Sequence, residues 1–68
     1  MKNETERIRI GQRIADLRKE KGMSQQELAD QTGLQRPHLT RLEAGKYGVT
    51  IDVLSQIANV LGKRVDFV

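Results

Sequence analysis

The chain has 68 residues, of which 31% are charged, and a net charge of +3. A domain this short buries only about 60% of the surface that its unfolded chain exposes, so we expect support from a partner chain. The lack of cysteine and the single histidine, His38, exclude a disulfide framework and a zinc site, which needs at least three protein ligands. No apolar run approaches the roughly 20 residues that span a bilayer, and the N-terminus is too polar for a signal peptide. We therefore expect a cytoplasmic protein with no membrane contact.

The charges are unevenly distributed along the chain. Residues 1–22 carry seven basic and four acidic side chains, and residues 23–34 carry only Glu27 and Asp30. Residues 35–48 carry three basic side chains against one acidic. Positive charge therefore flanks an acidic second segment, a pattern that favours a footprint on phosphates.

The first predicted helix covers residues 4–21. Ile10, Ile14 and Leu17 recur at intervals of four and three residues, so they share one face of this helix. Gly22 predicts its end, because glycine closes a helix in the left-handed conformation without a side-chain penalty.

The second predicted helix, residues 25–32, has a well-marked start. Ser24 and Glu27 have the spacing of a capping box, in which each side chain accepts a hydrogen bond from the other residue's backbone amide. Met23 and Leu28 have the spacing of a hydrophobic staple across the same helix start.

The third and fourth predicted helices, residues 36–44 and 51–61, begin with the same apolar spacing. The pairs are Leu34 with Leu39 and Val49 with Leu54. Pro37 favours the first helical position, whereas the staple places the start of the third helix one residue earlier. The sequence leaves that boundary open by one residue.

The tail, residues 63–68, alternates polar and apolar side chains and predicts a short extended β-strand. A lone strand leaves its backbone hydrogen-bonding groups unpaired, so two tails could pair antiparallel across a two-fold axis. We therefore expect a homodimer whose interface includes Val65, Phe67 and Val68. The alternative is a tail folded against its own helices.

The second and third predicted helices are joined by the tight turn Thr32-Gly33-Leu34. Ala29 is small enough to let the two helices cross closely, and such a pair is typical of a helix-turn-helix. The stretch from Gln25 to Leu42 resembles the phage-repressor-like, Cro-type (XRE) family. The most specific motifs are Ser24-Gln25-x-Glu27-Leu28-Ala29 and Leu42-Glu43-x-Gly45.

The resemblance covers roughly residues 8–62. It implies an all-α fold, a compact four- to five-helix bundle with a central helix-turn-helix, here in one domain over residues 1–68. It also implies sequence-specific binding of double-stranded DNA by a transcriptional regulator, a repressor acting as a dimer on a palindromic operator.

The third predicted helix has one buried and one outward side. Leu39 and Leu42 define the buried direction, and Pro37, Thr40 and Arg41 lie opposite. In the major groove an arginine can bind guanine O6 and N7, and a threonine can contact a thymine methyl. Two arbitrary surface arginines more often belong to a solvated face, but this placement favours base contact. The predicted base contacts are Gln35, Arg36, Pro37, Thr40 and Arg41.

Other residues are placed to contact the DNA backbone. Gln25 lies in the first turn of the second helix, where free amides and the helix dipole favour an anion, and the resemblance assigns this position to phosphate contact. The resemblance also pairs Arg18 with Glu43, an arrangement that would fix the third helix and leave Arg18 near phosphate. The predicted phosphate contacts are Arg18, Gln25, His38, Lys46 and Tyr47.

The sequence offers no enzyme site, because its glycines are isolated helix stops and Ser24 serves as a cap. We therefore expect no catalytic residue, no metal and no other cofactor. Two alternatives to a simple regulator stay open. One is an antitoxin that represses its own operon and also binds a toxin protein. The other is a pure protein-interaction module, whose affinity would be insensitive to salt and directed at protein.

Overall fold

The computed structural model describes residues 3–46 and 48–67, and that part of the chain contains four α-helices. They are α1 (Asn3–Glu20), α2 (Gln25–Thr32), α3 (Arg36–Glu43) and α4 (Ile51–Val60). The observed α1 begins and ends one residue earlier than the sequence predicts. The observed α3 and α4 each end one residue earlier, at positions where Ala44 and Leu61 donate a last helical hydrogen bond, to the carbonyls of Thr40 and Ile57.

Side-chain caps fix the starts of α2 and α4. Ser24 Oγ accepts a hydrogen bond from the Glu27 amide at 3.0 Å, and the Glu27 carboxylate accepts one from the Ser24 amide at 3.0 Å. Thr50 Oγ1 accepts from the Val53 amide at 3.2 Å. These contacts satisfy amides that have no partner within a helix. The capping box predicted at Ser24 is confirmed.

The start of α3 is set by apolar packing. Gln35 occupies the cap position without a side-chain hydrogen bond, and Pro37 stands at the second helical position. Leu34, just outside the helix, packs on the core, and Leu39 is completely buried. Since these two leucines have the spacing of a staple, the boundary follows the staple and α3 begins at Arg36.

The helices pack around one hydrophobic core. The α1 helix contacts α3, and α2 contacts both α3 and α4. The buried residues of this core cluster are Ile14, Leu28, Ala29, Leu39, Leu42, Ile57 and Leu61. Burial of a leucine side chain stabilises a fold by about 1.5–3 kcal/mol. The burial of Leu39 and Leu42 therefore determines which side of α3 is turned outward.

Two glycines allow close turns and crossings. Gly33 has φ 73° and ends α2 in the left-handed region, with its amide donating to the Ala29 carbonyl. At Gly11 the backbones of α1 and α3 nearly touch: a Cβ atom there would overlap the carbonyl oxygen of Leu42 and lie 2.8 Å from that of Glu43. The end of α3 is thus held directly against α1.

The tail differs from the expectation. Residues 63–67 form neither helix nor strand, so the predicted short β-strand is wrong for the single chain. A strand requires a neighbouring strand for its backbone groups, and none lies in the described ranges.

A groove of about 560 Å³ separates α1 from α4 beside this tail. Within residues 3–46 and 48–67, no helix is both long and apolar enough to cross a membrane.

Candidate nucleic-acid interface

The outward face of α3 carries the residues predicted to contact bases. Leu39 and Leu42, on the inner side, are 0% and 3% exposed. The Arg36 guanidinium has no hydrogen bond or ion pair with any described residue. The exposed residues of this face and its edges are Gln35, Arg36, Pro37, His38, Thr40 and Arg41.

A buried ion pair joins α1 to the end of α3. Arg18 Nε donates to Glu43 Oε2 at 2.8 Å and Arg18 Nη2 donates to Glu43 Oε1 at 3.0 Å, with the two side chains only 10% and 6% exposed. Arg18 Nη1 donates to the Met23 carbonyl at 2.8 Å. The hydrogen bonds to Glu43 raise the pKa of Arg18, against the opposing effect of desolvation. The Arg18 guanidinium is therefore charged and directed into the protein.

Gln25 extends this contact to the exposed face. Its Nε2 donates to Glu43 Oε1 at 3.0 Å, and its Oε1 lies 2.8 Å from the hydroxyl of Thr40. The same hydroxyl lies 3.0 Å from the Arg36 carbonyl oxygen. A continuous chain of hydrogen bonds thus runs from Arg18 through Glu43 and Gln25 to Thr40, across three helices.

The sequence reasoning did not find the contact between Gln25 and Thr40. Fifteen residues separate the two side chains, and their contact depends on how α2 and α3 cross. No motif specifies that crossing to the accuracy of a hydrogen bond. The sequence indicated only that Gln25 and Thr40 are both polar and would both lie near the same DNA duplex.

The loop after α3 contributes further cationic groups. Lys46 is exposed, and its backbone amide donates to the Arg41 carbonyl at 3.0 Å. Arg7, from α1, lies beside the same loop: a Cβ atom at Gly48 would be 3.4 Å from Arg7 Nε. The sequence reasoning gave Arg7 no role, since only the packing of α1 on α3 brings it there. Tyr47 lies outside the described residues.

The tail residues predicted to form a dimer interface are exposed in the single chain. Val65 is 40% exposed and Phe67 is completely exposed, and Val68 lies outside the described residues. Val65 also lines the groove between α1 and α4. The other apolar residues of that groove are Ile10, Ile14, Leu17, Leu54, Ile57, Ala58 and Leu61.

Comparison with known proteins places this arrangement in a family. The sequence matches the family model described as "Helix-turn-helix" over residues 14–68. The chain belongs to the XRE-type helix-turn-helix family. In this helix-turn-helix domain α2 and α3 are the two helices of the motif, and Gly33-Leu34-Gln35 connects them.

Relatives of the helix-turn-helix domain are named as regulators. It is 36% identical over 56 residues to the immunity repressor protein of Bacillus phage phi105, an alignment that covers 82% of this chain and 39% of the repressor. It is 37% identical over 54 residues to an uncharacterized HTH-type transcriptional regulator of Archaeoglobus fulgidus, covering 79% of this chain and 77% of that protein. The chain therefore spans well under half of the phage repressor and about three quarters of the archaeal regulator.

Solved structures agree with this assignment. The restriction-modification controller protein C.AhdI from Aeromonas hydrophila superimposes with a TM-score of 0.88 and 30% identity, over 94% of this helix-turn-helix chain and 93% of C.AhdI. The clp gene regulator ClgR from Corynebacterium glutamicum superimposes with a TM-score of 0.83 and 28% identity, over 85% of this chain and 62% of ClgR. Among the residues described for this domain, no group of three or more His, Cys, Asp or Glu could hold a metal ion.

Proposed function

We propose that the chain is a transcriptional repressor that binds double-stranded DNA sequence-specifically, with α3 in the major groove. The two-sided character of α3 carries this proposal. Its leucines are buried in the core, whereas Arg36, Thr40 and Arg41 are exposed. The major groove is about 12 Å wide and admits an α-helix, so side chains on this outward face would meet the base edges.

Arg36 and Arg41 are the residues that we assign to guanine recognition. Arg36 is the first residue of α3, and the N-terminal residues of a recognition helix are those that contact bases. An arginine guanidinium can donate two hydrogen bonds to guanine O6 and N7, which gives about 1–3 kcal/mol of discrimination against another base. Gln35 and Pro37 lie at the same end of α3 and complete the base-contacting surface.

Phosphate contacts would flank this surface on both sides. Lys46 and Arg7, beside the loop after α3, supply two cations to one strand. The free backbone amides in the first turn of α2, at Gln25, supply hydrogen-bond donors to the other. His38, on the flank of α3, is a further candidate. Tyr47 is also proposed as a phosphate contact, on the basis of the family resemblance.

Arg18 is better assigned to positioning than to phosphate contact. Its Nε, Nη1 and Nη2 all donate to protein acceptors, and its side chain is 10% exposed. This buried guanidinium makes three hydrogen bonds and would have to break its contacts with Glu43 in order to reach DNA. The ion pair instead supports α3 at its C-terminal end, where the recognition surface meets the loop.

A dimer would give the protein the two-fold symmetry of a palindromic operator. Phe67 is fully exposed and Val65 partly so, next to the apolar groove between α1 and α4. Association of two copies through these residues and Val68 would remove the apolar surface from water. The two recognition helices would then lie about 34 Å apart, one turn of the DNA helix.

The same groove favours a second candidate function, an antitoxin-type repressor that also holds a protein partner. Its rim carries four basic side chains against the single carboxylate of Asp66. They are Arg9, Arg13, Lys63 and Arg64. An acidic, partly apolar protein segment would match this surface, and the measured oligomeric state distinguishes it from pairing of two identical chains.

Selection of bound duplexes from a random DNA pool tests the main proposal. With the selected site, Arg36→Ala and Arg41→Ala should each cost about 1–3 kcal/mol and remove the preference at one base pair. Lys46→Ala should weaken binding to all sequences alike and lower the salt slope by about one unit. Lys19→Ala, a change of equal charge at an exposed position of α1 outside both proposed surfaces, is the matched control. A protein without preference among duplexes at physiological ionic strength would refute the proposal.

A further inference from the structure

We propose that Gln25 holds the hydroxyl of Thr40 on the protein side, so that α3 presents the Thr40 methyl group and selects a 5-methyl pyrimidine at one position. This inference rests on the proposed binding of DNA through α3. It gives Gln25 a role as a positioning residue that acts on base choice through Thr40, in addition to whatever its backbone amide contributes.

The direction of the hydrogen-bond chain is fixed at its charged end. The Glu43 carboxylate, paired with Arg18, can only accept hydrogen bonds. Gln25 must therefore direct its amide NH2 group toward Glu43, at 3.0 Å, and its carbonyl oxygen away from it. The reverse orientation would place the amide oxygen against the carboxylate. The negative charge thus decides which atom Gln25 offers to Thr40.

The Thr40 hydroxyl therefore has two hydrogen-bond acceptors of the protein beside it. Its hydroxyl oxygen lies 2.8 Å from Gln25 Oε1 and 3.0 Å from the Arg36 carbonyl oxygen, and both of these atoms are acceptors. The single hydroxyl proton must point to one of them, so it is not available to an acceptor on DNA. The other heavy atom on the Thr40 Cβ is a methyl carbon. Because Thr40 is exposed, this methyl is the group left to face the groove.

A methyl group on the protein suits a methyl group on the base. Thymine displays its 5-methyl in the major groove, where cytosine has only a C–H group and uracil lacks the methyl. Contact of the two methyl groups removes apolar surface from water on both sides. The same chemistry would accept 5-methylcytosine, so the recognised feature is the 5-methyl group and not the pairing edge of thymine.

The decisive experiment changes the DNA and leaves the protein intact. In the duplex obtained by selection, each thymine is replaced singly by deoxyuridine, and the dissociation constant is measured by fluorescence anisotropy at fixed salt. One position in each half-site should lose about fourfold in affinity, which corresponds to one buried methyl group. At that position 5-methylcytosine, paired with guanine, should bind more tightly than cytosine by a similar factor.

Variants of Thr40 assign that effect to one side chain. Thr40→Ser keeps the hydroxyl and deletes the methyl, so the thymine-to-uracil ratio should fall to about one. Thr40→Val keeps a methyl group and should retain the ratio. Retention of the full ratio by Thr40→Ser would overturn the inference while leaving the proposed DNA binding intact.

Variants of Gln25 test the positioning role. Gln25→Met removes the α2 acceptor and leaves the Thr40 hydroxyl only the Arg36 carbonyl, so the Thr40 side chain is held less firmly. The thymine-to-uracil ratio should therefore fall although the Thr40 methyl is still present. Gln26→Met is the matched control, because Gln26 lies on the same helix and bonds only to Asp30. If Gln25 acts solely as a phosphate ligand, Gln25→Met would weaken all duplexes equally and leave the ratio unchanged, which overturns the inference.

The outcomes separate this inference from the function on which it rests. Sequence-specific binding with no sensitivity to any deoxyuridine substitution refutes the role of the methyl group alone. Absence of sequence preference for every duplex refutes the proposed function, and this inference with it. Thermal unfolding of each variant confirms that a changed ratio is measured on folded protein.

Discussion

The α1–α3 contact and the C-terminal tail each contain an arginine–carboxylate pair, but the two pairs are very different. Arg18 and Glu43 form two hydrogen bonds, with side chains 10% and 6% exposed. Arg64 and Asp66 approach only to 3.4 Å, with side chains 86% and 55% exposed. Water and salt screen the exposed pair, whereas the buried pair cannot be replaced by hydration. A charge pair therefore fixes geometry only where packing has already excluded the solvent.

This difference extends to the surfaces around each pair. On the α1–α3 side Arg18, Glu43, Gln25 and Thr40 are joined in one network. No described buried side-chain nitrogen or oxygen lacks a hydrogen-bond partner. On the tail side Phe67 is fully exposed and the groove between α1 and α4 is open. The first side is organised without a ligand, whereas the second leaves apolar surface exposed in the single chain.

The largest effect should come from breaking the buried pair. Arg18→Met should lower the free energy of unfolding by about 3 kcal/mol, because it leaves the Glu43 carboxylate buried without its cation. Arg64→Met, the matched change in the tail, should alter it by less than about 0.5 kcal/mol. Urea unfolding of both variants makes the comparison. Equal losses would mean that burial does not distinguish the two pairs.

Removal of both charges of the buried pair tests whether the loss of stability comes from the unpaired Glu43 carboxylate. In the double variant Arg18→Met with Glu43→Met, much of the lost stability should return, since no unpaired charge stays buried. Affinity for DNA should still be reduced, because Gln25 loses the acceptor that orients it. Recovery of stability together with full DNA affinity would show that the network does not position α3.

The next largest effect is expected at the crossing of α1 and α3. Gly11→Ala should cost about 2 kcal/mol despite the better helix propensity of alanine, because its Cβ would overlap the Leu42 carbonyl oxygen. Gly48→Ala is the control, since its Cβ would lie no closer than 3.4 Å to its nearest neighbour, the flexible Arg7 side chain. Thermal unfolding should show a lower midpoint for the first variant only.

A change in the tail should weaken self-association and leave the stability of the single chain almost unchanged. Phe67→Ser should leave the stability of a single chain almost unchanged, because its ring is fully exposed there. It should weaken self-association at least tenfold, about 1.4 kcal/mol, if Phe67 is buried between two copies. Sedimentation equilibrium measures the dimer, and Ile51→Ser, at an exposed site on α4, is the control. A dimer that survives truncation after Gly62 would exclude the tail as the interface.

The smallest effect concerns pH at the start of α2. The backbone amide of Ser24, and then its hydroxyl, lower the pKa of Glu27 from 4.5. Folding therefore favours the ionised form, so this contribution to stability is present above pH 4.5 and is lost as the pH falls through the lower folded pKa. Melting temperatures of the parent protein and Glu27→Gln should differ near neutral pH and converge in acid. A constant difference down to the lowest pH would contradict this assignment.

The sequence predicted what depends on neighbouring residues. The start of α2 follows from the Ser24 capping box, and the starts of α3 and α4 follow from the apolar spacings of Leu34 with Leu39 and of Val49 with Leu54. The pairing of Arg18 with Glu43 came from the family resemblance and is present in the structure. The helix starts are specified by residues a few positions apart, and the ion pair by a family motif that implies how α1 packs against α3.

Features that depend on three-dimensional packing were not predicted. The close approach at Gly11 and the contact of Gln25 with Thr40 each require the relative placement of two helices, which spacing along the chain does not specify. The tail was expected to form a strand because its residues favour one, but a strand requires a partner that a single chain does not provide. The position of Arg7 beside the loop after α3 was missed for the same reason as the contact between Gln25 and Thr40.

The hydrogen-bond chain that ends at Thr40 also bears on attempts to redesign the proposed preference for one DNA sequence. We expect that position 36 can be exchanged independently, because the Arg36 side chain makes no hydrogen bond or ion pair with another described residue. The side chains at positions 25 and 40 share a hydrogen bond, so a double-mutant cycle between them should be non-additive. A library that varies the recognition helix alone would sample only part of the accessible specificities, whereas one that varies Gln25 together with Thr40 would sample base preferences that neither change reaches alone.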